Sequence, residues 1–226
     1  LAPCNTSDWG NYEGAVTTKI VYVKQELDGG LLQLPLHMVG LLQREFPLLL
    51  ELIKNDTLLS ISYSDRYLKS PWAVMMLMSF IKLFNRCEPK SISITALKSE
   101  ANIVGHLVFH DWSLDYEQRE FMEQLISRTC PSANCTTITL KDNPQELQHS
   151  RKLELKWASG RTIEVIFDQG FGYWKAFSTS YAARQFPFEG DSTLQVDTSM
   201  KVNEHLEMRH SGNWPTIITL NEVLQN

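Results

Sequence analysis

Residues 72–84 read Trp-Ala-Val-Met-Met-Leu-Met-Ser-Phe-Ile-Lys-Leu-Phe, and this run constrains the fold more than any other stretch of the chain. It is apolar on every side of a helix, yet too short for a bilayer, which takes about 20 residues. A helix of this kind must lie inside folded protein. Its start is marked by Ser70, a good N-cap, and by Pro71, which suits the first helical position because no amide hydrogen is needed there. Its three methionines and its aromatics at helical spacing predict core rather than an adaptable binding face.

The flanks of this helix set the fold class. Residues 57–63 (Thr-Leu-Leu-Ser-Ile-Ser-Tyr) and 91–97 (Ser-Ile-Ser-Ile-Thr-Ala-Leu) alternate polar and apolar, as strands do. Strand, helix, strand is a βαβ unit with parallel strands. A second helix is predicted over 113–127, with Leu114, Phe121, Leu125 and Ile126 as its stripe and Asp115 and Glu117 at its positive end. A strand at 136–140 follows, and then an antiparallel hairpin, 153–157 and 162–167, turning at Gly160.

Upstream, the pattern predicts a strand at 19–23, a turn at Asp28-Gly29-Gly30, and a helix over 36–45 that Pro47 interrupts or restarts. Downstream, 194–202 and 216–220 read as strands separated by a polar segment, 203–213. The expected class is α/β, a mixed sheet with βαβ units and an antiparallel hairpin. Soft boundaries divide the 226 residues into an N-terminal strand-helix arm (1–56), an α/β core (57–180) and C-terminal strands packing on that core (181–226), all in one compact unit.

The chain is 43% hydrophobic and 21% charged, an ordinary globular composition, and its net charge of −5 argues against a broad nucleic-acid surface. The strongest local basic cluster is Arg151, Lys152, Lys156 and Arg161 on the hairpin, which keeps nucleic acid open as a partner. The four cysteines show no zinc-ligand spacing, so neither metal nor cofactor is expected. Cys130 and Cys135 flank a turn and could pair in an oxidising compartment; with no secretory signal, free cytoplasmic thiols are expected. Leu1-Ala2-Pro3-Cys4 resembles no signal peptide, and the chain reads as a piece of a longer polypeptide. The Asn-x-Ser/Thr triplets at Asn5, Asn55 and Asn134 carry no weight on the same ground.

The chemistry-bearing motif is Gln148-His149-Ser150-Arg151, leading into the hairpin. Asp65-Arg66-Tyr67-Leu68 follows the first strand of the βαβ unit, and Asp168-Gln169-Gly170-Phe171-Gly172-Tyr173-Trp174 follows the hairpin. With this order of elements, residues 57–178 resemble a phospholipase D-like module. More narrowly they resemble the C-terminal domain of proteins with a microtubule-interacting and trafficking domain, through its Asp-x-Tyr, His-Asp-Arg and Gly-rich aromatic motifs. In the superfamily the histidine attacks a phosphodiester, a lysine two residues on binds phosphate, and an acid supports the site. Here arginine stands at the second place and Lys156 at the third.

The resemblance implies one site at the strand ends, with His149 as the candidate catalytic residue and Asp65, Arg66, Arg151, Asp168, Gly170 and Gly172 as candidate ligand-binding residues. Arg66 and Arg151 could grip a phosphate, and the glycines would let backbone amides approach an anion. The structural alternatives are an internal Asp65–Arg66 ion pair, core positions for Tyr173 and Trp174, and glycines serving a turn alone. The broken motif points to a non-catalytic accessory or interaction domain of a larger prokaryotic assembly, acting with helicase or nuclease partners against foreign nucleic acid. The alternatives are a phosphodiesterase or nuclease using His149, for which a homodimer would supply the second histidine, and a peripheral membrane module. The acidic chain, without a basic amphipathic helix, argues against the last. A protein partner is expected.

Overall fold

The computed structural model describes residues 16–99, 108–110, 112, 114–147, 151–178, 186–188 and 190–224. In chain order the strands are β1 (Val16–Val23), β2 (Gly29–Gly30), β3 (Leu58–Asp65), β4 (Ser91–Leu97), β5 (Val108–His110), β6 (Cys135–Lys141), β7 (Arg151–Trp157), β8 (Arg161–Phe167), β9 (Trp174–Ser178), β10 (Phe186–Phe188), β11 (Leu206–His210) and β12 (Thr216–Leu224). The helices are α1 (Leu34–Glu45), α2 (Pro47–Asn55), α3 (Pro71–Ile81), α4 (Asp115–Thr129) and α5 (Ser192–Val202).

Seven strands form one mixed sheet in the order β1-β12-β8-β7-β3-β4-β6. Only β3–β4 and β4–β6 are parallel pairs; the other four are antiparallel. The two parallel steps are those bridged by α3 and α4, as the alternating pattern predicts. The hairpin β7–β8 turns at Gly160, whose φ of +84° is the conformation that favours glycine. A small antiparallel sheet, β2-β11-β9, and a parallel pair, β10–β5, complete the strands.

Alternation decides which residues face the core. Ile61, Tyr63 and Asp65 of β3, Ile92, Ile94 and Ala96 of β4, and Leu153, Leu155 and Trp157 of β7 are all buried. Their alternates Ser60, Ser62, Ser64, Ser91, Ser93 and Thr95 are partly exposed and lie side by side on the opposite face. α3 is buried at every position from Pro71 to Ile81, with the Ser70 hydroxyl accepting from the Ala73 amide at 3.2 Å. Each large apolar side chain so buried stabilises by about 1.5–3 kcal/mol. The methionine-rich helix is core.

Three readings of the sequence need correction. Residues 194–202 are not a strand but part of α5, capped by the Asp191 carboxylate accepting from the Leu194 amide at 2.9 Å. The C-terminal segment therefore packs on the core with a helix as well as strands. The polar segment 203–213 contains β11, and the turn placed at 28–30 closes earlier, where the Asp28 amide donates to the Gln25 carbonyl at 3.0 Å. Gly29 and Gly30 go on to pair with β11. Pro47 does restart the helix, as the first residue of α2.

Cys87, Cys130 and Cys135 are free. The Cys130 thiol donates to Asn85 Oδ1 at 2.9 Å, turned away from a disulfide role. No helix among the described residues is long and apolar enough to cross a membrane.

Candidate functional site

Asp65 ends β3, and the period of that strand points its carboxylate toward the helix-covered face, where it is 2% exposed. Three groups meet it. The Tyr63 hydroxyl donates to Oδ2 at 2.8 Å, the Tyr67 amide donates to Oδ1 at 2.7 Å, and Arg151 Nε lies 3.7 Å from Oδ1. Arg151 opens β7, antiparallel to β3, which brings its guanidinium to this strand end. The guanidinium lies 4.7 Å over the Tyr67 ring and donates to the Asp168 carbonyl.

Gly170 closes the cluster. Its φ of +60° is left-handed, and a Cβ there would come within 2.9 Å of Arg151 Nε and 3.0 Å of Asp65 Oδ2. Only glycine fits the loop against the pair. Phe171 packs tilted on Tyr63, ring centres 5.9 Å apart, sealing the inner side.

Burial raises the Asp65 carboxyl above the ordinary aspartate range, although the Tyr67 amide, the Tyr63 hydroxyl and Arg151 all pull it down. Burial, and then the neighbouring Asp65, push the Tyr63 phenol well up, so it stays a neutral donor. The pair is thus a partly desolvated ion contact whose carboxylate already accepts from two donors. It resembles a bolt joining β3, β7 and the loop after β8 more than an open anion trap.

The other expected site residues separate. Arg66 is not the ion partner of Asp65; its Nε donates to the Leu147 carbonyl at 2.7 Å, and its terminal nitrogen donates to the same oxygen. The Asp168 carboxylate turns to β12, accepting from the Thr216 hydroxyl at 2.7 Å. A Cβ added at Gly172 would meet nothing within 4 Å, and the residue has no left-handed φ, so its place in the loop does not demand glycine. Tyr173 and Trp174 are core aromatics, each 3% exposed. His149 lies outside the described residues. Each of the two arginines expected to clamp a phosphate donates to one internal carbonyl, and Arg151 also faces Asp65.

The basic cluster is neutralised as well. Lys152 meets Glu164 at 2.5 Å and Glu154 at 3.5 Å, Lys156 meets Glu154 at 3.1 Å, and Arg161 meets Glu222 at 3.6 Å. Glu154 and Glu164, directly opposed on β7 and β8, supply the counter-charges. Glu154 sits two residues from Lys152 and Lys156 on the same strand, so that part was open to view in the sequence, whereas Glu164 and Glu222 reach Lys152 and Arg161 only through the pairing of strands.

A second buried polar network escaped the sequence. His110 is 1% exposed and accepts the Trp112 amide on Nδ1 at 3.2 Å, which leaves the proton on Nε2. Nε2 lies 3.1 Å from the Ser99 hydroxyl, which itself donates to the Lys69 carbonyl at 2.5 Å. Histidine is the donor here, so this serine–histidine contact is not set up for general-base activation. Among the described residues no group of three or more His, Cys, Asp or Glu side chains could hold a metal ion. A cavity of about 10 Å³ lined by Leu27, Met38, Phe80, Phe171 and Met208 holds no more than one water-sized sphere.

The family described as DEAD/DEAH box helicase YjiV, C-terminal domain, matches residues 17–222, from the second residue of β1 nearly to the end of β12. The chain belongs to that family. The match runs through all seven strands of the mixed sheet, with Asp65, Arg151 and Gly170 inside it. No curated protein matches this YjiV C-terminal domain chain.

Proposed function

We propose that this YjiV C-terminal domain is a non-catalytic accessory domain of a helicase polypeptide, phospholipase D-like in architecture, that docks a partner and does not cleave phosphodiesters. The closed Asp65–Arg151 contact carries the reading. A phosphate-binding guanidinium must present uncompensated charge to its ligand, whereas the charge of Arg151 is faced by the buried Asp65 carboxylate, one of its terminal nitrogens is taken by the Asp168 carbonyl, and its plane lies over the Tyr67 ring. The helicase in the family description supports nucleic acid as what the whole assembly acts on, and the narrower reading is a prokaryotic system directed at foreign nucleic acid.

The test compares the whole helicase polypeptide, the same polypeptide lacking this domain, and a His149→Ala variant. Cleavage of single- and double-stranded DNA and RNA is measured with and without divalent metal, beside ATP-driven unwinding. The expected result is no cleavage by any form and slower unwinding without the domain. Cleavage lost in His149→Ala would overturn the proposal in favour of a nuclease. Unwinding unchanged by removal of the domain would overturn the accessory role.

A further inference from the structure

Among the described residues Trp214 is the most exposed large apolar side chain, 81% open to solvent. It stands on the loop 211–215 between β11 and β12, and that loop is braced. The Ser211 amide donates to the Tyr173 carbonyl at 3.0 Å, and the hydroxyl of Tyr173, itself a buried residue, donates to the Trp214 carbonyl at 2.7 Å. Pro215 follows, with its φ fixed by the ring. A loop held in this way keeps its indole in water as a fixed feature. An indole buries roughly 150–250 Å² when covered, so the loop presents a preformed apolar contact.

The ground around the loop is acidic, and both of its roots carry carboxylates. At His210, the last residue of β11, Asp28 accepts the backbone amide at 2.9 Å and meets the ring Nδ1 at 2.6 Å. Thr216, the first residue of β12, donates its hydroxyl to Asp168 at 2.7 Å and pairs with Val23, three residues before Glu26. Glu26 and Asp168 are exposed, and among the described residues none of these three carboxylates has a Lys or Arg nitrogen within 4 Å. Arg44, which also acts on Glu26, is bonded to Glu45 at 2.9 Å, and Arg209 to Glu207 at 2.9 Å. Lys24 and Lys175 still leave the three carboxylates in excess. Their joint field reaches the Tyr173 phenol, which burial raises first and Asp28, Asp168 and Glu26 raise further.

We propose that Trp214 and the carboxylates at the roots of its loop form a docking surface for a basic segment of a partner protein, with one arginine stacked on the indole. Tryptophan makes the strongest cation–π contact of the aromatic side chains, and a guanidinium can lie flat on the ring while its edge donates to a carboxylate. The molecule already contains such a contact, with the Arg209 guanidinium 4.6 Å over the Phe177 ring beside Glu207. The same carboxylates repel nucleic acid and anionic lipid, and a wholly apolar partner would strip their water without replacing it. The net charge of −5 favours a basic partner at longer range. This surface rests on the accessory reading, since it names the chemistry of the partner that the domain docks.

The test is fluorescence anisotropy of a labelled peptide of alternating Arg and Gly, titrated with the 226-residue chain at low salt and at about 0.15 M. The variants are Trp214→Ala, Trp214→Leu and Glu26→Lys. The native chain is expected to bind, more weakly at the higher salt. Both Trp214 variants should lose at least about threefold, leucine as much as alanine because the face of the ring and not its bulk is read. Glu26→Lys should also lose at least about threefold. No binding of the Arg peptide up to about 1 mM overturns the proposal, as does an affinity unchanged in Trp214→Ala. A Leu-for-Arg peptide that binds equally well, or a single-stranded oligonucleotide whose binding falls in Trp214→Ala, overturns it in favour of an apolar or a nucleic-acid partner. Tyr173 uses only the backbone of Trp214, so replacement keeps the brace; should the loop still shift, unchanged affinity in Glu26→Lys overturns the proposal by itself. Absent peptide binding beside slower unwinding on removal of the domain would overturn this surface alone and retain the accessory role.

Discussion

Replacing Arg151 with methionine keeps most of the side chain's bulk and leaves the buried Asp65 carboxylate its two hydrogen bonds but without the Arg151 counter-charge. At the 3.7 Å separation and an effective dielectric of about 20, the lost attraction is about 4.5 kcal/mol. The contact with the Tyr67 ring adds about 1 kcal/mol and the hydrogen bond to the Asp168 carbonyl about 1.5 kcal/mol. Asp65 can limit the damage by taking up a proton, so the expected net loss is about 3–5 kcal/mol, the range for removing one partner of a buried pair. For a chain of this length that lowers Tm by roughly 6–20 °C. Asp65→Asn should cost less, about 1–2 kcal/mol, since the amide still accepts from one donor and Arg151, 14% exposed, can turn to water. The double variant should be more stable than Arg151→Met alone, with a coupling of about 2 kcal/mol.

The pH dependence has a definite sign. An aspartate whose carboxyl is raised by burial binds its proton more tightly folded than unfolded, so its contribution falls as pH rises from the ordinary aspartate value through the raised one, and is level above it. Removing Arg151 takes away a lowering influence and extends that window upward. The Arg151→Met penalty should therefore shrink as pH falls from 7 toward 4. Urea unfolding at both pH values measures it. A loss under about 1 kcal/mol at pH 7, or additive losses in the double variant, would refute the view of this pair as a closed structural contact.

Gly170→Ala should destabilise by about 2–4 kcal/mol, combining the left-handed φ with the crowding against Arg151 and Asp65, while Gly172→Ala should stay within about 0.5 kcal/mol. Equal effects at the two positions, read by urea midpoints, would contradict the loop geometry. Burial pushes the Cys87 thiol to about 11 and the Cys130 thiol to about 12, whereas Cys135 is exposed. Iodoacetamide at pH 8 should accordingly label Cys135 first and reach Cys87 and Cys130 only on unfolding, as peptide mass mapping would show. Asp191→Ala should cost about 1 kcal/mol by removing the N-cap of α5, measured by the same unfolding assay.

Local signals carried the centre of the fold. Ser70 and Pro71 mark α3, the alternation of β3 and β4 around it requires a parallel pair, and Gly160 fixes the hairpin. The same reasoning failed at α5, where Leu194, Val196, Met200 and Val202 alternate like a strand. The buried residues there are Ser192, Gln195, Val196, Ser199 and Val202, a helical period that the polar members hide from a hydrophobic pattern. Gln195 is at home in the core only because Trp112 donates to it at 2.7 Å and its own amide donates to the Gly190 carbonyl at 2.9 Å. Those partners are distant or irregular and leave no periodic trace.

The phospholipase D-like resemblance implied one site for Asp65, Arg66, His149, Arg151 and the loop 168–172, of which the structure brings Asp65, Arg151 and Gly170 into one cluster. What the sequence determined by itself is what adjacent residues decide: helix starts, strand alternation, turn glycines and the buried character of residues 72–84. Tertiary structure decided the rest. The insertion of β12 between β1 and β8 joins the two ends of the chain in one sheet. The antiparallel register of β3 and β7 brings Arg151 to within 3.7 Å of Asp65. Such pairings form between residues far apart in the chain, where the free energy comes from shared burial and charge compensation that no single segment contains.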